Sequence, residues 1–190
     1  MRQKRAPLTT QGRLAWLAGV LIIAGIVHLC SILIMPQIAP NTPYARIAAR
    51  TPVNRFVLLP PVAPGESALP FEDPAMALGA CRFDLTRGPV RLRGQLAADA
   101  LVLLSFHGRT AQTFYAMTDR SALRGAIDVV VATRDQLDEI ESHDTEDELP
   151  QELRLEAPSL QGFMLVRALA ERPSLMGEAR ERLSSLSCEG

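Results

Sequence analysis

Leu14 to Met35, LAWLAGVLIIAGIVHLCSILIM, is a largely apolar run of 22 positions that holds no Asp, Glu, Lys or Arg. As a helix it measures about 33 Å, enough to cross the hydrocarbon core of a bilayer. The run therefore reads as a transmembrane helix, and everything after it as a tethered domain. Before it stand Arg2, Lys4, Arg5 and Arg13 without an acid; after it Pro36 to Ala45 is uncharged, and the next bases are Arg46, Arg50 and Arg55. Positive charge close to a span stays on the cytoplasmic side, so the N-terminus is expected in the cytoplasm and the domain outside. Trp16 and Tyr44 are placed to sit at the two interfaces. A cleaved secretory signal is the competing reading. The apolar stretch is longer than the usual h-region, and Pro36, Pro40 and Pro43 crowd the place of a cleavage site, which favours an uncleaved anchor.

The formal charge of −1 conceals an asymmetry. All 21 acids lie beyond the span against sixteen arginines there, leaving −5 for the exported part and +4 for the tail. An acidic domain of this kind gives no reason to expect a nucleic-acid partner. Its composition, rich in arginine and alanine with Lys4 as the one lysine, fits a GC-rich bacterial genome and leaves the domain no lysine for Schiff-base chemistry. Cys30 lies in the span as a small apolar filler. Cys81 and Cys188 stand alone in the exported part, and an oxidising compartment makes them a natural disulfide pair. On the chain-entropy model, closing a loop of this length is worth up to ~4.7 kcal/mol. Two unpaired buried thiols are the other reading.

Nine of the fourteen prolines fall between Pro36 and Pro74, so 36–74 reads as a Pro-rich spacer. It would hold one short helix near Pro43–Ala49, capped by Asn41 or Thr42, and a short strand at Arg55–Leu59. From 75 to 190 the texture is that of one folded domain. Cys81, Phe83 and Leu85 alternate with polar residues, and after Thr86–Pro89 the alternation resumes at Val90–Arg93, which predicts a hairpin with one apolar face and Cys81 turned inward. Further strands are expected at Ala100–Phe106, Gln112–Met117, Ala126–Ala132, Glu152–Glu156 and Phe163–Leu169, the fourth with a wet side of Glu152, Arg154 and Glu156. Thr133 and Gln136 form a capping box before a helix. Pro173–Leu186 predicts an amphipathic C-terminal helix with Leu175, Met176, Ala179, Leu183 and Leu186 on one stripe and Glu178–Arg182 as an i,i+4 pair. The expected fold class is α+β: one N-terminal transmembrane helix, then a single domain with a mostly antiparallel β-sheet and a C-terminal amphipathic helix.

Candidate chemistry is sparse. The acids Asp135, Asp138, Glu139, Glu141, Asp144, Glu146, Asp147, Glu148 and Glu152 lack the ligand spacing and turn glycine of a calcium loop and read as a solvated face. Ser105, His107 and Asp119 can be cast as a triad, but no Gly-x-Ser-x-Gly elbow accompanies them, and His107 reads as a turn histidine. His143, among acids, reads as exposed. Phe83, Phe106 and Phe163 fall on strand positions and read as core. His28 lies ~5 Å from the middle of the span, where an ionisable group is a functional candidate by default; a neutral imidazole bonded to a neighbouring helix or to backbone is the plainer reading. Ala18, Gly25 and His28 lie near one face, and Ala15-x-x-x-Gly19 is a small-x-x-x-small pair; both suit helix association into an oligomer. No catalytic residue, metal site or cofactor is assigned.

The segments "GIVHL", "TPYARIA", "TPVNRFVLLP", "DPAMALGACRFDLTRGPVRL", "FYAMTDR" and "GFMLVRALA", with a last cysteine at Cys188, form a further pattern. The chain resembles the short single-pass members of the bacterial domain-of-unknown-function 1254 family from the span onward. The resemblance implies a partner from a sister family of small membrane proteins encoded alongside, in an inner-membrane complex. It carries over no catalytic residue. The expectation is an inner-membrane-anchored periplasmic protein, a non-catalytic interaction or ligand-binding module of an envelope complex. The alternatives are an envelope hydrolase using His107 and a purely structural anchor. A deep apolar pocket between sheet and terminal helix would favour ligand binding over the last.

Overall fold

The computed structural model describes residues 9–38, 42–62, 69, 72–96, 101–121, 125–144 and 152–190, in two compact units, Met1–Pro40 and Asn41–Gly190. The first unit is helix α1, Thr10–Ile38, apolar on every side. Its window Thr10–Met35 has the length and composition of a candidate membrane-spanning helix, and none of that window is buried by protein. A helix without a polar face has nothing to distinguish a solvated side from a packed one, which is the pattern of a lipid-facing segment. The helix runs past Pro36 to Ile38, as a proline this close to the C-terminal end disrupts only the last turn.

The second unit is α+β with mostly antiparallel pairing, as the alternating patterns lead one to expect. Its elements are α2 (Pro43–Ala48), β1 (Phe56–Leu58), β2 (Met76–Asp84), β3 (Val90–Gln95), β4 (Val102–Gly108), β5 (Thr113–Thr118) and β6 (Ala126–Ala132). There follow α3 (Arg134–Ser142), β7 (Leu153–Glu156), β8 (Gln161–Leu169), a 3-10 turn at Pro173–Leu175, α4 (Met176–Ser184) and β9 (Ser187–Glu189). The strands form two sheets, one ordered β1-β2-β8-β4-β5 and the other β7-β6-β3-β9. Among the described strands all pairings are antiparallel except β6 with β7, whose parallel register needs a crossover, and α3 supplies it. The capping box that starts α3 is formed: Thr133 Oγ1 accepts from the Gln136 N–H at 3.3 Å, and Gln136 Oε1 accepts from the Thr133 N–H at 3.0 Å.

The two sheets share one core. Cys81, Phe83, Leu104, Phe106, Met164 and Val166 come from the first, Val90, Leu92, Ile127, Val129 and Val131 from the second, and Ala179 and Leu183 of α4 close one end. Phe83 and Phe106 are fully buried; cutting either to Ala removes about 3–5 kcal/mol of packing. The disulfide joins Cys81 on β2 to Cys188 on β9, with their Cα atoms 6.5 Å apart, and so ties one sheet to the other.

Two expectations are corrected. The alternation at Cys81–Arg93 is not a hairpin: β2 pairs with β1 and β8, while β3 pairs with β6 and β9. Residues 85–89 carry the chain from one sheet to the other. Alternation reports that one face of a strand is buried, and both strands bury a face in the same core, so it cannot name the partner. Second, the domain starts well before residue 75. Ile47 of α2 and Leu59 after β1 are buried with Ala80, Phe163 and Leu165 against the outer face of the first sheet. Arg180 Nη1 of α4 donates to the Leu59 carbonyl at 2.7 Å and fastens this segment further. Proline content marked the absence of long elements there, not the absence of packing.

Candidate functional site

The outer face of the first sheet carries the polar and aromatic groups closest to chemistry. Strand register aligns Arg82, Phe163, His107 and Thr113 in one row across β2, β8, β4 and β5. The His107 ring stacks on Phe163 with centroids 4.8 Å apart and planes 11° from parallel. Its Nε2 lies 2.9 Å from Ser105 Oγ, and its Nδ1 lies 3.1 Å from Thr113 Oγ1 and 3.4 Å from the Ala111 carbonyl. A neutral ring protonated on Nδ1 fits this: the N–H faces the carbonyl and Nε2 accepts from the serine hydroxyl. Burial pushes the His107 imidazole below the ordinary histidine range, and the nearby Arg167 charge adds to that, against an opposing contribution from the Ala111 carbonyl.

Beyond His107 the network continues through side chains. Tyr44 of α2 leans on Phe163 with centroids 6.4 Å apart, and the Arg109 guanidinium sits 5.4 Å over the Tyr44 ring. Arg109 Nη1 also donates to Gln161 Oε1, and Gln161 Nε2 donates to Asp84 Oδ2 at 2.8 Å. Hydrogen bonds from the Thr86 hydroxyl and N–H hold the Asp84 carboxyl below the usual carboxylate range, with Gln161 contributing. His107 is thus a strand residue with a packed ring and not a turn histidine.

The triad pattern is only half assembled. Ser105 and His107 meet, but Asp119 follows Thr118, which pairs with Leu103 at the far end of β4 from His107. Where a triad needs a carboxylate on Nδ1, this site has a hydroxyl and a carbonyl. Ser105 sits mid-strand between Leu165 and Ala116, its backbone committed to the sheet and not gathered into an oxyanion hole. Among the described residues, the space between α4 and the sheets is packed with Ala179 and Leu183, both fully buried.

Of the acidic stretch, Asp135, Glu139 and Glu141 are exposed as the sequence led one to expect, while Asp138, Asp144 and Glu152 form ion pairs. Arg154 bonds Asp144 at 2.5 Å and Glu152 at 3.1 Å; Arg91 bonds Glu152 at 2.5 Å and Asp128 at 2.6 Å. Glu152 and Arg154 side chains are each only 14 % exposed, so of the side expected to be wet only Glu156 is exposed, while Glu152 and Arg154 are packed into an ionic lattice. Hydrogen bonding to Arg91 lowers Asp128 below the usual carboxylate range, and the bond to Asp128 raises Arg91. Asp138 pairs loosely with Arg134 at 3.4 Å on the exposed face of α3. Glu146, Asp147 and Glu148 lie outside the described residues. Among the described residues no group of three His, Cys, Asp or Glu is placed to hold a metal. Sequence reading missed this lattice, although Arg91 and Arg93 on the outward positions of β3 were its visible half.

In the helical unit, His28 lies beside Val20, Ile23, Ala24, Val27 and Ser31 along one side of α1. The Ser31 hydroxyl is already spent on the Val27 carbonyl at 2.7 Å. Cys30 is a free, exposed thiol on the same helix. His143 caps α3, its Nδ1 2.7 Å from the Glu139 carbonyl.

No protein-family model matches this chain, and no curated protein matches it. Solved structures do. The VPA0106 protein of Vibrio parahaemolyticus aligns over 73 % of this chain and 30 % of its own length, with a TM-score of 0.51 at 14 % identity. An uncharacterised protein from Burkholderia cenocepacia aligns over 62 % of this chain and 32 % of its own, with a TM-score of 0.42 at 14 % identity. The chain thus spans about a third of the solved proteins it matches. The first likeness extends to the fold of the domain and to nothing else.

Proposed function

We propose that this is a bacterial inner-membrane protein with a cytoplasmic N-terminus, whose disulfide-closed periplasmic domain is a non-catalytic interaction or ligand-binding module of an envelope complex. The observation that carries the reading is the pairing, on one chain, of an apolar helix that no protein covers with a sandwich whose sheets are tied by a buried disulfide. Such a bridge persists in an oxidising compartment, and the basic residues ahead of the helix favour the same orientation. The resemblance to short single-pass members of the domain-of-unknown-function 1254 family supports the reading and supplies the first partner to try, a small membrane protein of the sister family. Helix-mediated oligomerisation through the His28 side of α1 is part of the proposal.

Affinity capture from native membranes tests it. Recovery of a stoichiometric membrane partner is expected; purification of a lone chain with neither partner nor ligand overturns it. The hydrolase alternative rests on the Ser105–His107 contact. It predicts labelling of Ser105 by a serine-directed fluorophosphonate, lost in Ser105→Ala; an unlabelled protein rejects it.

A further inference from the structure

Helix α1 carries an imidazole with nothing on its own helix to bond. His28 lies ~5 Å from the middle of the apolar run, and among the described residues no hydrogen bond reaches its ring. The Ser31 hydroxyl, one turn on, donates to the Val27 carbonyl at 2.7 Å instead. Protein buries none of this window. In hydrocarbon an unbonded ring N–H and an unbonded ring nitrogen are both costly, because no water is there to satisfy them. A second helix supplies what is missing.

The positions around His28 say which helix fits. Leu17, Leu21, Ala24, His28, Ser31 and Met35 follow one another in alternating steps of four and three. At 3.6 residues per turn all of them lie within about 60° of His28 around the axis. That is the a/d stripe of a left-handed helix pair, with His28 at an a position and the small Ala24 and Ser31 at the d positions on either side of it. The same side of α1 is grooved, and the groove is lined by Val20, Ile23, Ala24, Val27, His28 and Ser31. Four of these, Ala24, Val27, His28 and Ser31, are the d, g, a and d positions that surround an incoming a-position side chain in a parallel, in-register pair. The groove that His28 helps to line is thus the hole for the same histidine of an identical helix.

Hydrogen-bond chemistry selects the same partner. A neutral imidazole has one donor and one acceptor, so two of them complement each other through one N–H···N bond. The N–H left over has the Ser31 oxygen within a turn, whose hydrogen is committed but whose lone pairs are open. Copies of one chain insert in one orientation, which brings both histidines to the same depth. A different helix would need its own polar group placed at that depth.

We infer that α1 pairs with the α1 of a second copy in a parallel, in-register dimer whose two His28 side chains meet and bond. The inference rests on the membrane-anchored, helix-associating part of the reading above and names the partner as this chain itself.

Oxidative cross-linking of the full chain in native membranes tests it. In a Cys30→Ser background, Ala24→Cys and Met35→Cys place a thiol on the seam, whereas Ile26→Cys places one on the far side; the native Cys30 is also about 200° round the axis from His28. Ala24→Cys and Met35→Cys are expected to give a covalent dimer, and Ile26→Cys and the parent chain to stay monomeric on the gel. Association, read by energy transfer between labelled copies diluted in lipid vesicles, is expected to weaken about three-fold or more in His28→Leu. It is expected to hold in His28→Asn, which keeps a donor and an acceptor. Cross-linking without preference for the His28 side, a product that contains a different protein, or association of His28→Leu equal to the parent overturns the inference. The Cys81–Cys188 bridge reports export in the same samples and shows that a variant has inserted and folded. A bridged chain that does not dimerise sinks this inference alone, whereas free Cys81 and Cys188 sink the reading of an exported domain, so the two failures are distinguishable.

Discussion

Cys188 meets Cys81 across the sandwich, β9 of one sheet against β2 of the other, and both thiols are buried at the point where they join. The bond spans 107 residues of sequence. Reduction, or Cys81→Ser with Cys188→Ser, is expected to lower stability by about 2–5 kcal/mol. Urea unfolding with and without reductant checks this, and the double variant must be insensitive to reductant. In cells, maleimide should reach these thiols only after reduction and unfolding; free thiols would also weaken the case for export.

His107 should give the domain a pH dependence. Its unfolded-state pKa is near 6.5 and its folded-state pKa lies lower, chiefly through burial. A histidine held neutral binds fewer protons folded than unfolded, so its contribution is complete above about pH 6.5 and is lost as pH falls toward the folded pKa. Thermal melts between pH 4.5 and 7.5 should show stability falling on the acid side. His107→Asn should flatten that part of the profile, and an unchanged slope would reject the assignment.

Gly162 is required by close approach. A Cβ there would collide with the His107 carbonyl and the Phe83 ring, one of them backbone and the other core. Gly162→Ala is therefore expected to cost about 2 kcal/mol or more, with loss of near-ultraviolet aromatic signal as the ring shifts. A variant within ~0.5 kcal/mol of the parent would mean that β8 can bend away.

The ionic lattice and the surface pair should differ sharply. Glu152→Ala leaves Arg154, whose side chain is 14 % exposed, and the more exposed Arg91 each short of a partner, and is expected to cost about 1–3 kcal/mol. Asp138→Ala removes an exposed pair 3.4 Å long and should change stability by less than about 0.5 kcal/mol. Denaturant midpoints in low and high salt check both, and equal effects would contradict the lattice.

The local rules read well where one face of an element meets one core. The Thr133–Gln136 box, the strand Ala126–Ala132 and the stripe Ala179–Leu183 all follow from period and capping, and their burial matches. What stayed hidden depends on partners distant in sequence. The split of β2 and β3 between sheets cannot be read from either strand, since each shows the same alternation. Ser105 and His107 came together in the sequence only as members of a triad pattern with His107 in a turn; their contact arises because both lie on one face of β4, two residues apart. The stacking on Phe163, 56 positions away, and the Arg109–Gln161 link to Asp84 were not legible.

The place of β9 has a consequence for biosynthesis. Strand β3 finishes at Gln95, yet its neighbour on one side, Ser187–Glu189, leaves the ribosome some ninety residues later. Until then one rim of the second sheet is an open row of backbone donors and acceptors, able to pair with the wrong chain. Cys81 likewise waits for Cys188, 107 residues further along the chain, and until then is an unpaired thiol. Completion of this rim therefore waits for Ser187–Glu189, and a chain stalled before Ser187 would leave both its rim and its thiol exposed.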